Sequence, residues 1–228
     1  MLCSFVNISI MRAYLAEFIC TYALVLIGTG AIIANQLSDG AVGLIGISLA
    51  FGFIIAGMVY TFGSTSGAHM NPAVSAAFLA LGDLSLTDFV GYVVAQCIGA
   101  VAASFTLLLL FPDGGGLLGA TLPSDGALQS FVIEVLTTYL LMLSILGIIA
   151  DEANNAIAGL VIGLVVVGLI MFAGPISGAS FNPARSLGPA LVSGHLTSLW
   201  LYLVAPTLGA VSAASSWMYL KPAAAVKQ

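Results

Sequence analysis

Asn71-Pro72-Ala73 and Asn182-Pro183-Ala184 are the same three residues, 111 positions apart (182 minus 71) in a chain of 228. Around them, SGAHMNPAVS (66–75) and SGASFNPARS (177–186) agree at seven of ten positions. Asn is a favoured helix N-cap and Pro a favoured first helical residue, so each box reads as the start of a helix. Each Asn caps through its amide oxygen and keeps an NH2 group to donate elsewhere, so two boxes brought together offer two donors to a passing molecule. Arg185 follows the second box directly and is the one cation between Arg12 and Lys221. Within an apolar body such a residue faces a polar pathway, or else snorkels to water from an interface. Glu17 and Glu134 complete the set, each inside an apolar run. Buried acids couple proton movement in transporters, or they accept hydrogen bonds from backbone N–H groups that irregular segments leave unpaired.

The elements that position these residues must lie in a membrane. Hydrophobic residues are 61% of the chain and charged residues 6%, where soluble domains carry about a quarter charged. Six apolar stretches, 13–34, 42–62, 87–111, 127–150, 156–173 and 198–220, approach the roughly 20 residues needed to cross a hydrocarbon core of about 30 Å. They leave no room for a soluble catalytic domain. The runs after the boxes, 72–80 and 183–192, would be only about 15 Å long as helices, half that thickness. The expected fold is therefore an all-α integral membrane protein of six transmembrane helices and two re-entrant half-helices.

The duplication extends past the boxes. AEFICTYALVLIGTGAI from Ala16 aligns with IEVLTTYLLMLSILGII from Ile133, matching Glu17 with Glu134, Thr21 with Thr138, Tyr22 with Tyr139 and Gly30 with Gly147. Gly52 and Gly57 match Gly163 and Gly168, and AQCIGA (95–100) is similar to APTLGA (205–210). Residues 1–228 thus read as one membrane channel domain, with one repeat over about 12–111 and a second over about 127–220. Three spans per half is an odd number, so the second half enters from the opposite face and the repeat is inverted. Non-helical backbone survives at that depth only where it is buried in protein or lines water. Gly67, Ala68 and His69, with Gly178, Ala179 and Ser180, are accordingly expected to present a ladder of carbonyl acceptors to a pore. His69 is expected both to line that pore and to brace its insert.

The remaining composition is mostly exclusionary. Arg12 precedes the first span, and Lys221 and Lys227 follow the last, which places both termini in the cytoplasm by the positive-inside tendency. Cys3, Cys20 and Cys97 show neither paired spacing nor accompanying histidines, and read as packing residues. His195 reads as a solvated loop residue. The first apolar run is too long for a cleaved signal peptide, and either Met1 or Met11 fits as the start. No basic patch for nucleic acid is present. No Ser/His/Asp set, metal cluster or phosphate-binding glycine loop stands out either, so neither an enzyme nor a cofactor is expected.

The paired boxes, the NPARS sequence and the duplicated Glu17/Glu134 make the chain resemble the aquaporin, or major intrinsic protein, family over about residues 12–220. GIIADEANNAIAGLVIGL is similar to archaeal members in particular. The resemblance implies a right-handed bundle with one pore per subunit, a homotetramer in the plasma membrane, and insert support as the role of Glu17 and Glu134. It also implies a selectivity filter of Phe51, Ile170, Ala179 and Arg185. Phe51 lies 20 residues before Asn71, and Ile170 and Ala179 lie 15 and 6 before Arg185. On pattern alone Phe51 and Ile170 fit core packing equally well. Water channels of the family usually carry His at the place of Ile170, so a wider, more apolar constriction is expected here. Ser186 and Ala190 look water-channel-like, since glycerol channels usually carry Asp and a basic residue there, whereas Leu203 stands where many water channels have Trp. The function implied is a passive water channel that passes small neutral solutes such as glycerol and excludes protons and ions. A glycerol facilitator and an ion-coupled inverted-repeat transporter are the competing readings.

Overall fold

The structure, a computed structural model, describes residues 2–112 and 116–221, with side chains from residue 10 onward. The Cys3 side chain and Lys227 lie outside that description. Among the described residues eight α-helices follow one another: α1 (Leu2–Leu37), α2 (Gly43–Ser66), α3 (Pro72–Leu81), α4 (Leu86–Leu110), α5 (Ala127–Ile149), α6 (Asn155–Ser177), α7 (Pro183–Ser193) and α8 (Leu199–Leu220). A 3-10 turn, Glu152–Asn154, leads into α6. Six of the eight are long and apolar enough to cross a membrane, and α3 and α7 are the two short ones.

Helix ends differ from the apolar stretches for local reasons. α1 starts eleven residues before the apolar run, since nothing between positions 2 and 13 breaks a helix and a helix need not stop where hydrocarbon does. α2 and α6 run on past 62 and 173 through polar or proline-containing turns, to Ser66 and Ser177. Each then ends on a glycine in the left-handed region, Gly67 (φ 83°) and Gly178 (φ 78°). Their N–H groups close the last turns on the Gly63 and Gly174 carbonyls, as C-terminal glycines do.

The chain direction makes the duplication inverted. Starting from the face that carries the N-terminus, α1 crosses and α2 returns, after which the chain dips inward and α3 leads back out to the same face. α4 crosses, so α5, α6 and α7 repeat this path from the opposite face, and α8 ends on the face where α1 starts. Packing obeys the same symmetry. α1 lies against α2 and α4 as α5 lies against α6 and α8, while α2 and α6 join the halves. Each half-helix packs on the last helix of the other half, α3 on α8 and α7 on α4.

Helices in lipid gain little from burying apolar surface against one another, so small residues and close backbone approach hold them together. Gly52 and Gly163 meet where α2 crosses α6, and a Cβ on either would run into the other's carbonyl oxygen. Gly99 abuts the Phe18 backbone and Gly209 the Val135 backbone, the same contact once in each half. Gly163→Val should therefore overpack the α2–α6 crossing, costing about 1–3 kcal/mol. We expect a lowered melting temperature of the purified protein in detergent. Gly168→Ala, where a Cβ meets nothing within 4 Å, should melt like the parent, and equal melting of both variants would refute the crossing as a stability determinant.

Candidate functional site

The two inserts have the same backbone. After each terminal glycine, Ala68 (φ 48°) and Met70 (φ 53°) in one, and Ala179 (φ 48°) and Phe181 (φ 56°) in the other, stand in the left-handed region. For residues other than glycine that conformation costs roughly 1–2 kcal/mol each, so something must hold it. Glu17, fully buried in α1, accepts from the His69 N–H (2.8 Å) and Ser66 Oγ (2.7 Å) on one carboxylate oxygen, and from the Met70 N–H (2.8 Å) and Gln96 Nε2 (2.8 Å) on the other. Glu134 in α5 does the same, with the Ser180 N–H (2.8 Å), Ser177 Oγ (2.7 Å) and the Phe181 N–H (2.8 Å). Ser66 and Ser177 also accept from the Ala68 and Ala179 N–H groups. The Tyr92 and Tyr202 hydroxyls donate to the Ser66 and Ser177 carbonyls.

Each insert ends on its box. Asn71 Oδ1 accepts from the Ala73 N–H, and Asn182 Oδ1 from the Ala184 and Arg185 N–H groups, with Pro72 and Pro183 at the first helical positions. The amide nitrogens then cross between halves. Asn71 Nδ2 donates to the Phe181 carbonyl (2.7 Å) and Asn182 Nδ2 to the Met70 carbonyl (2.6 Å). The expected donation by each NH2 group thus goes in part to the opposite insert. One of its two hydrogens ties the opposite insert and one remains. Among the described residues the carbonyls of Gly67, Ala68 and His69, and of Gly178, Ala179 and Ser180, accept no protein hydrogen bond.

Two cavities meet at this junction. The larger, about 750 Å³, opens toward the face bearing the termini and is lined by Tyr60, His69, Phe78 and Asp83 among others. The smaller, about 40 Å³, lies toward the opposite face, between Phe51, Ile170, Ala179 and Arg185. Asn71, Asn182, Leu24, Ile55, Leu141 and Val166 line both. His69 faces the larger cavity, stacks on Phe78 with ring centroids 4.5 Å apart, and shares a hydrogen bond with Ser75 Oγ (3.1 Å). Arg185 is 1% exposed; its Nη1 donates to the Gly119 carbonyl (2.7 Å), and its Cζ stands 5.1 Å from the Phe51 ring centroid. Cys20 is fully buried, Cys97 packs beside Leu24 and Val25, and His195 lies exposed between α7 and α8.

Several site residues escape the sequence reading. Ser66/Ser177, the first residues of the duplicated decapeptides, and Tyr92/Tyr202, at an offset of 110, carry a repeat signal that does not reveal their hydrogen bonds. Gln96 had none, because Pro206 stands at its counterpart. Nor had the segment around Leu118 (φ 53°) and Gly119 (φ 69°), which holds Arg185 from a connection without a repeat partner. Thr121 in the same connection bonds Ser186 Oγ (2.7 Å), which in turn meets Ser180 Oγ.

An inverted pair of three-span halves, with half-helices joined at mid-depth beside two confluent cavities, defines a pore-type membrane protein. The family model described as Major intrinsic protein matches residues 4–219. The chain is 42% identical over 215 residues to aquaporin NIP1-1 of Zea mays, covering 94% of this chain and 76% of that one. It is 38% identical over 217 residues to nodulin-26 of Glycine max, covering 95% and 79%. The X-ray structure of the aquaglyceroporin from Plasmodium falciparum superposes with a TM-score of 0.83 at 25% identity, over 92% of this chain and 96% of that one. The chain belongs to the major intrinsic protein family, and is a membrane channel protein rather than an enzyme.

Glu134→Gln should expose how the second insert is held. Gln keeps one acceptor oxygen and turns an NH2 group against the N–H of Ser180 or Phe181, leaving a buried backbone donor unpaired at about 1–3 kcal/mol. We expect a lower melting temperature in detergent together with reduced flux in vesicles. Wild-type melting and flux would show that the carboxylate is dispensable.

Proposed function

We propose that this protein is a passive channel that conducts water, passes small neutral solutes such as glycerol, and rejects protons and ions. The observation that carries the reading is the meeting of a wide vestibule and a narrow cavity at Asn71 and Asn182, with Arg185 lining the narrow side. The free carbonyls of Gly67, Ala68, His69, Gly178, Ala179 and Ser180 act as acceptors along the path, and the remaining Asn71 and Asn182 N–H groups act as donors at its middle. A water molecule exchanges one such partner for the next and needs no other solvation.

A cation has no such route. Each half-helix N-terminus carries roughly +0.5 of an elementary charge, and two of them face the middle, where a permeant ion has least water around it. Arg185 adds a full charge in the narrow cavity. Phe51, Ile170, Ala179 and Arg185 form the constriction in this proposal, and Ile170 makes its wall apolar where a polar group would otherwise compete for water. Glu17 and Glu134 act as supports and not as proton carriers, because their oxygens are already committed to the inserts. We place the channel in the plasma membrane with cytoplasmic termini, on the evidence of Arg12 and Lys221 at the ends of the first and last spans. We assign it a homotetrameric state on the family resemblance.

Stopped-flow scattering of vesicles reconstituted with the protein tests the reading, with sucrose and glycerol gradients run in parallel. We expect fast water flux, measurable glycerol flux, and no dissipation of a proton gradient. Flux driven by an ion gradient would instead identify a coupled transporter. Arg185→Ala should raise solute passage. Ile170→His should lower the glycerol-to-water ratio by roughly tenfold, the scale of about 1.4 kcal/mol in barrier height; an unaltered ratio removes Ile170 from the constriction.

A further inference from the structure

We infer that Gly28 in α1 sets the bore of the narrow cavity by fixing where the Phe51 ring lies, which makes it a specificity-determining residue. The inference rests on the reading of Phe51 as part of the constriction. Gly28 is buried, and a Cβ built on it would overlap Cδ1, Cε1 and Cζ of the Phe51 ring. The ring can lie where it does only because position 28 has no side chain. Leu24, one turn earlier on the same face of α1, lines both cavities, so this face of the helix looks toward the lumen. Glycine within a helix is locally disfavoured against alanine. Helix formation therefore does not explain its presence, whereas the space it leaves for the ring does.

The direction in which the ring would yield follows from its neighbours. Ile32, Ile47 and Ile55 pack against the cluster that contains Phe51, and Arg185 lies over the ring face. Open volume beside the ring is the narrow cavity of about 40 Å³ that Phe51 itself lines. In that measure one water needs about 10–15 Å³, so the cavity takes only a short file of waters, and a displaced ring removes a sizeable share of it. Water loses least from such narrowing, and a three-carbon polyol loses most. The other half supplies the contrast. The Glu17/Glu134 register pairs Gly28 with Ile145, and the box register pairs Phe51 with Ile162. Both isoleucines line the wide vestibule. A glycine facing an aromatic ring occurs only on the narrow side of this pair of positions.

Wild type, Gly28→Ala, Phe51→Val and the double variant, each reconstituted into vesicles, test the inference by stopped-flow water and glycerol flux, with melting in detergent read alongside. We expect Gly28→Ala to lower glycerol flux about fivefold while water flux falls less than about twofold, the response to one methyl group forced into a packed wall. Phe51→Val should raise the glycerol-to-water ratio. In the double variant the effect of Gly28→Ala should vanish, since valine does not reach position 28, and any melting loss in Gly28→Ala should vanish with it. Equal proportional loss of water and glycerol in Gly28→Ala, or an effect that persists beside Phe51→Val, overturns the role of Gly28. An unchanged ratio in Phe51→Val overturns the constriction reading itself, separately from Gly28.

Discussion

A backbone N–H group left unpaired at mid-membrane costs several kcal/mol, and this structure places four of them there, at His69, Met70, Ser180 and Phe181. Two buried carboxylates accept all four. With their N–H groups committed to Glu17 and Glu134, the inserts can hold left-handed residues other than glycine and turn their carbonyls away from protein. The inserts in turn deliver Asn71 and Asn182 to a position from which each caps its own half-helix and grips the opposite insert. Neither half can shift without breaking the other's hydrogen bonds, so the junction is rigid for reasons unrelated to apolar burial.

The halves share this scaffold yet enclose different spaces. By the 111-residue offset, Phe51, Ile170, Ala179 and Arg185 correspond to Ile162, Val59, Ala68 and Val74. The first four line a cavity of about 40 Å³, and the second four line one of about 750 Å³. The same four backbone positions thus line a narrow passage in one half and a wide one in the other, with different side chains at three of them. An aromatic ring and a guanidinium fill the first space, and aliphatic groups leave the second open. Duplication supplied the frame, and substitution at a few of its positions supplied the asymmetry.

Whatever was duplicated was legible in the sequence, because repetition marks a residue without any knowledge of its neighbours. The boxes, the inversion, the half-helices and the Glu17/Glu134 pair were all visible for that reason. Ser66/Ser177 and Tyr92/Tyr202 bear the same mark, but repetition does not say that a hydroxyl braces an insert. Features belonging to one half had no mark. Gln96 reaches Glu17 and Ser75 (2.8 and 3.0 Å) only through the packing of α4 on α1. The Gly119 carbonyl reaches Arg185 from a connection whose path depends on a buried Leu118 and on two positive φ angles. The crossing of the Asn amides was hidden for a different reason. Sequence fixes how many donors an amide has but not which acceptor lies nearest.

In the proposed channel, Arg185 is where this one-sided connection turns a scaffold into a selective one. Taking a guanidinium out of water costs several kcal/mol, and local contacts offset it. Gly119 supplies one carbonyl, and the Phe51 ring supplies a cation–π contact of about 0.5–2 kcal/mol. Nε is buried without a partner among the described residues. In the proposed channel this charge is open to an acceptor oxygen in the adjoining cavity. In the proposed channel a permeant molecule is judged twice at one place, by whether it fits between Phe51 and Ile170 and by whether it offers Arg185 an oxygen. Water and small hydroxylated molecules meet both conditions, an apolar molecule of equal size meets only the first, and a cation meets a repulsive charge in place of a partner.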